Sequence, residues 1–174
     1  GVHNGGMISL GCLRFGPSGY PSDAKGSLER VFEILKSLKL DALEYAATYG
    51  LRLREDKAEE IGRLARATDV SMSMHAPYYI SLASNKEEIR ERSKKRLVKA
   101  LRFAPLMNVK RIVFHPGGYV GHTPEEAFEL ISKAILEIRE EAGHLGKGAI
   151  LAPEIAGKKN AFGSPGDCLL YTSD

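Results

Sequence analysis

The feature that most constrains this chain is a repeated switch in the period of its apolar residues. Short apolar runs occupy residues 7–13, 40–45, 70–75, 111–115 and 149–153, each about as long as a buried strand. Between them the spacing becomes helical. Leu28, Val31, Phe32, Leu35 and Leu38 fall on one face of a first helix, and Ala58, Ile61, Leu64 and Ala65 on one face of a second. A third helix is expected from about Lys86, with Ile89, Leu97, Ala100, Leu101 and Ala104 inward and many Lys, Arg and Glu outward, most simply a solvated face. The fourth has the clearest start: Thr123 as N-cap, Pro124 at the first helical position and Glu126 completing a capping box. Its apolar face is Ala127, Leu130, Ile131, Ala134 and Ile138, and it is expected to end in the glycine-rich stretch 143–148.

Strand–helix alternation of this kind predicts an α/β fold with a parallel sheet and helices outside. A doubly wound sheet and a (β/α)8 TIM barrel both satisfy it. No Walker A loop and no G-x-G-x-x-G follows the first apolar run, which removes the commonest nucleotide-binding reasons for a doubly wound sheet. A complete barrel needs about 250 residues, so a barrel of 174 residues is expected to stop after about its fifth strand. Residues 7–165 are read as this partial barrel domain. Residues 166–174 carry no amphipathic pattern and are expected to be a truncated or chimeric end, the alternative being a genuine tail.

Composition sets outer limits. With 43% hydrophobic and 27% charged residues, the chain can bury a sizeable core without membrane or disulfide help. The net charge of +3 permits nucleic-acid contact without arguing for it. Cys12 and Cys168 are too isolated for a disulfide framework or a zinc ribbon, and a reducing, cytoplasmic setting is expected. No apolar run approaches the roughly 18 residues that span a bilayer, so no membrane partner is expected. Residues 1–7 lack a signal-peptide pattern, and Met7 is read as a possible true start.

His75, His115 and Glu154 close three consecutive strand runs at spacings of 40 and 39 residues, one strand–helix unit each. All C-terminal strand ends of a parallel βα sheet emerge on one face, so the three side chains are expected to converge there. Two imidazoles and a carboxylate suit zinc, and also manganese or iron. Each residue taken singly could instead be a hydrogen-bonded strand end or a turn cap; the regular recurrence is what points to metal.

At these residues the chain resembles the endonuclease IV family, in particular its archaeal members, zinc-dependent AP endonucleases within the xylose-isomerase-like barrel superfamily. The stretches that carry the resemblance are Leu13-Arg14-Phe15-Gly16-Pro17, His75-Ala76-Pro77-Tyr78-Tyr79-Ile80, Val113-Phe114-His115-Pro116-Gly117 and Pro153-Glu154-Ile155-Ala156-Gly157-Lys158-Lys159. It implies that His75, His115 and Glu154 are metal ligands, with Glu154 bridging two ions and counted as the catalytic residue. It further implies up to three Zn2+ ions, an activated hydroxide that attacks the phosphodiester 5′ to an abasic site, and double-stranded DNA as partner. Several divalent ions suit that chemistry, because they lower the pKa of bound water and neutralise the phosphate.

The resemblance also implies DNA contacts. Tyr78 and Tyr79 would meet the lesion by stacking, one exposed and one partly buried under the loop. Ser81 stands where the family often has Asn. Arg14 would lie at the mouth of the first strand, either as a phosphate or metal-site neighbour or in a rim salt bridge. Lys158, with Lys159, would face the DNA backbone or simply solvate a loop. Glu44 ends the second strand run on the same rim, and this carboxylate keeps a second function open: a sugar isomerase or epimerase of the same superfamily, using one or two manganese or magnesium ions. His122 is near the rim but belongs to the capping loop, and His3 and His144 look incidental. The family's later ligands, an Asp-x-x-His, a further His, an Asp-x-His and a final Glu, lie beyond the point where this sequence stops. The 174-residue chain alone is therefore expected to be poorly active, and self-association through unpaired strand edges is expected of it.

Overall fold

The computed structural model describes residues 14–24 and 26–154. Four strands, β1 (Ala42–Ala46), β2 (Ser71–His75), β3 (Val109–Phe114) and β4 (Ile150–Pro153), form one sheet in the order β1-β2-β3-β4, every pair parallel. Between them run α2 (Glu55–Thr68), α3 (Glu87–Phe103) and α4 (Pro124–Ala142), with α1 (Leu28–Ser37) ahead of β1. All four expected helices and the last four expected strand runs are present. The run at residues 7–13 lies outside the described residues, as do Lys158, Lys159 and the stretch 166–174.

Strict sequential order decides between the two architectures that the alternation allows, because a doubly wound sheet reverses direction at a switch point. The two sheet faces agree. Leu43, Met72, Met74, Ile112, Phe114 and Leu151 are all at most 3% exposed, buried under the helices. Glu44, Ser73, Arg111 and Ile150, paired in one register row, line the opposite, more open face. The α/β arrangement is that of consecutive units of a TIM barrel.

Whether the Arg14–Pro17 motif follows a strand turns on residues 7–13, outside the described residues; the segment from Phe15 itself pairs along the edge of β1. The Asp41 and Ala42 amides donate to the Phe15 carbonyl, the Glu44 amide to that of Pro17, and the Gly19 amide to that of Glu44. A parallel bridge joins Ser18 to Glu44.

The helices form where the sequence places them, because each buries its apolar stripe against the sheet. Phe32, Leu35, Ile61, Leu97, Leu101, Ile131 and Ile138 are 1% exposed or less. Leu38, expected on the buried face, is instead 61% exposed, since α1 ends at Ser37 before its turn reaches the core. The capping box forms as expected: Thr123 Oγ1 accepts from the Glu126 amide, and the Glu126 carboxylate accepts from the Thr123 amide. Gly143, at φ 65°, ends α4. Among the described residues no helix is long and apolar enough to cross a membrane.

The turns from α1, α2 and α3 into the following strands are built alike. Lys39, Asp69 and Asn108 each take a left-handed conformation, φ 57°, 53° and 57°. In each turn the next residue (Leu40, Val70 or Val109) donates its amide to the carbonyl five positions back, at 2.8–2.9 Å. That is the Schellman closure of a helix, achieved without glycine.

Candidate metal centre

The parallel register carries three side chains to one end of the sheet. His75 is the last residue of β2, His115 follows β3, and Glu154 follows β4 with its amide still donating to the Phe114 carbonyl at 2.8 Å. Glu154 Oε2 lies 3.1 Å from His75 Nε2 and 2.9 Å from His115 Nε2. One donor atom from each of the three falls within 4.8 Å of the others.

The chemistry of this trio asks for a cation. His75 Nδ1 lies 2.8 Å from the Ala76 carbonyl, an acceptor that holds the ring proton on Nδ1. Nε2 is then turned to the Glu154 carboxylate, an oxygen that can only accept, so the gap between them suits a cation that both atoms can bind. Two imidazoles and one carboxylate fit zinc or manganese.

The loops around the trio are tightly fitted. Pro116 is buried, and the Leu82 amide donates to its carbonyl at 3.0 Å. Gly117, at φ 96°, passes so close under the loop after β2 that a Cβ would sit 2.9 Å from Ser81 Cα. The glycine of the His-Pro-Gly motif is thus required twice, by conformation and by contact. Ser93, fully buried on α3, accepts from the Ser81 amide and donates to the Ile89 carbonyl, pinning that loop to the helix.

Tyr78 stacks over His115 at 6.1 Å and lies 5.8 Å from the His75 ring. Tyr79 turns away towards α3, where Arg96 donates to its carbonyl and the guanidinium lies 6.0 Å from its ring. Against the expectation of one exposed and one partly buried tyrosine, both are exposed, 53% and 65%. Neither has a core position to fill, because Ile80 and Leu82 already occupy it.

Arg14 is not at this rim. Its guanidinium donates to the Asp69 carbonyl at 2.7 Å and pairs with the Asp69 carboxylate at 3.3 Å, in the turn that enters β2 at its N-terminal end. The placement at the strand mouth is therefore corrected: the segment ahead of β1 starts its pairing at Phe15, so Arg14 lies at the opposite pole. Glu44 is on the open face of β1, two residues below the register partner of His75, with Ser18 Oγ donating to its Oε1 at 2.6 Å.

One rim residue escaped the sequence reading. Tyr49, in the loop after β1, meets Tyr78 edge-on at 6.2 Å and is 76% exposed. The Tyr78 amide donates to the Thr48 carbonyl, which ties the two loops together. Its signal was available: an aromatic beside a glycine, directly after a strand run on the rim that carries the histidines.

Comparison with known proteins agrees with this architecture. Residues 32–170 match the family described as xylose isomerase-like TIM barrel. An uncharacterized protein of Methanocaldococcus jannaschii is 34% identical over 153 residues, 87% of this chain and 54% of its own length. A probable endonuclease 4 of Aquifex aeolicus is 37% identical over 68 residues, 39% of this chain and 24% of its own. Among solved structures, a D-tagatose 3-epimerase-like protein superposes with a TM-score of 0.69 at 21% identity, over 91% of this chain and 59% of that one. The chain spans about half the length of the Methanocaldococcus relative, and less of the other. Sequential parallel strands, helices on one face and the family match together make this chain a member of the xylose isomerase-like TIM barrel family.

Proposed function

We propose that the protein is a metal-dependent hydrolase that cuts the DNA phosphodiester 5′ to abasic sites, with zinc as its resident ion. The observation that carries this reading is the trio His75, His115 and Glu154 with the exposed ring of Tyr78 stacked on it and Tyr49 edge-on to Tyr78. Exposed rings at a rim suit unstacked bases of an opened duplex, whereas a free sugar calls for enclosure. Endonuclease 4 relatives support it at the level of sequence.

In this reading the chain's own residues do three things. His75 and His115 present Nε2 to the ion, with the Ala76 carbonyl holding the first ring in register. Glu154 adds the negative charge that makes the site prefer a divalent ion. Tyr78, supported on the imidazoles, offers a flat surface to the DNA. A divalent ion bound there supplies Lewis-acid activation of water and charge neutralisation at the phosphate.

A second reading, a sugar epimerase, is favoured by one observation. Glu44 lies on the same sheet face as His75, where a carboxylate could move a proton on a small substrate.

The deciding experiment uses full-length protein and a duplex with one tetrahydrofuran abasic analogue. Incision 5′ to the analogue is expected, abolished by chelator and restored by zinc. Epimerisation of a free ketose without any incision would replace the first reading with the second.

A further inference from the structure

Beside the metal centre, between the loop after β2 and the N-terminal half of α3, lies an open surface cleft of about 460 Å3. Its walls include Tyr78, Tyr79, Ser81, Ile89, Arg92 and Arg96. Tyr78 lines this cleft and also stacks on His115 of the metal centre.

The cations in this wall are arranged unequally. Arg96 is committed: it donates to the Tyr79 carbonyl and lies beside that ring. Arg92, one turn earlier on the same face, is exposed, and its guanidinium makes no hydrogen bond or ion pair among the described residues. Glu88, a turn earlier again, makes no ion pair with it. Like charges four residues apart on a helix are destabilising. Two guanidinium groups facing one cleft without a carboxylate between them therefore carry a cost that a bound anion offsets. A guanidinium presents paired N–H groups that match two oxygens of a phosphate. Ile89 and the Tyr79 ring add apolar surface of the kind on which a base or sugar rests.

We propose that this cleft is a phosphate subsite, with Arg92 as the principal cation and Arg96 as the second, taking a phosphate next to the one positioned over the metal centre. The source of that phosphate rests on the nuclease reading: a DNA strand carries one at every nucleotide, a free ketose none.

The test uses the full-length metal-loaded protein and a fluorescent duplex with a tetrahydrofuran analogue, with Kd measured by anisotropy over a KCl series. Arg92→Ala is expected to weaken binding about tenfold and to lower the slope of log Kd against log salt by about 1, one phosphate contact. Arg92→Lys is expected to keep the slope and lose part of the affinity. Unchanged Kd and slope in Arg92→Ala would overturn the subsite. Should the parent protein bind no DNA, the nuclease reading fails and the same variants are measured with inorganic phosphate and with a ketose phosphate against its neutral ketose. An Arg92-dependent preference for the phosphorylated ligand would then keep the subsite with a different source. No such preference would overturn it.

Discussion

The two ends of the sheet are made on opposite principles. At the N-terminal end three helix-to-strand turns repeat one geometry: a left-handed residue, the same amide-to-carbonyl closure and an apolar residue tucked under the helix. Arg14 and Asp69 close that end with an ion pair. At the C-terminal end the loops carry two imidazoles converging on one carboxylate, and exposed tyrosines. The first end is closed by backbone turns and one ion pair; the second gathers polar and aromatic side chains into an open rim.

The comparison breaks most decisively at the trio. His115→Ala removes one of three converging ligands and is expected to lower metal affinity by about 100-fold or more, read by zinc titration against a chromogenic chelator. Retention of metal and activity would end the assignment. Next is Gly117→Ala, which must open the contact with Ser81 and adopt an unfavourable φ. A loss of about 2–3 kcal/mol is expected in urea unfolding, together with weaker metal binding as His115 shifts. A purely local loss of stability with metal affinity intact would show that the two loops are not coupled.

At the opposite end the sign reverses. Lys39→Gly relieves a left-handed lysine and is expected to stabilise by about 1 kcal/mol, with metal affinity unchanged. The smallest effect is expected from the helical layer, where Lys94 of α3 bonds Glu137 of α4 at 2.5 Å and Glu91 at 2.6 Å. Hydrogen bonding to Lys94 lowers the Glu137 pKa, and hydrogen bonding to Glu137 and Glu91 raises that of Lys94. The contribution is therefore complete between the ordinary values of 4.5 and 10.5. It fades in acid as pH falls through the lowered Glu137 value, and in base as pH rises through the raised Lys94 value. Lys94→Met should cost less than ~1 kcal/mol at neutral pH, since both acidic partners are well exposed, and less again in high salt.

The sequence by itself determined the periodic architecture and the three side chains that converge at one rim. Hydrophobic period, the Thr123 capping box and the spacing of His75, His115 and Glu154 are properties of short stretches, and they survive being read along a line. Strand starts moved by up to two residues, as at Val109, because pairing with the neighbouring strand, not the apolar run, sets where a ladder begins. Only the tertiary structure decided which end of the sheet each side chain reaches. Arg14 went to the structural pole because its segment pairs along β1, and Tyr49 joined the rim because its loop bonds to that of Tyr78. Arg92, read from the sequence as part of a solvated helix face, became a wall of a cleft once Tyr78 and Tyr79 were laid against α3. Burial, convergence and the want of a partner are relations between distant residues, fixed by register and packing.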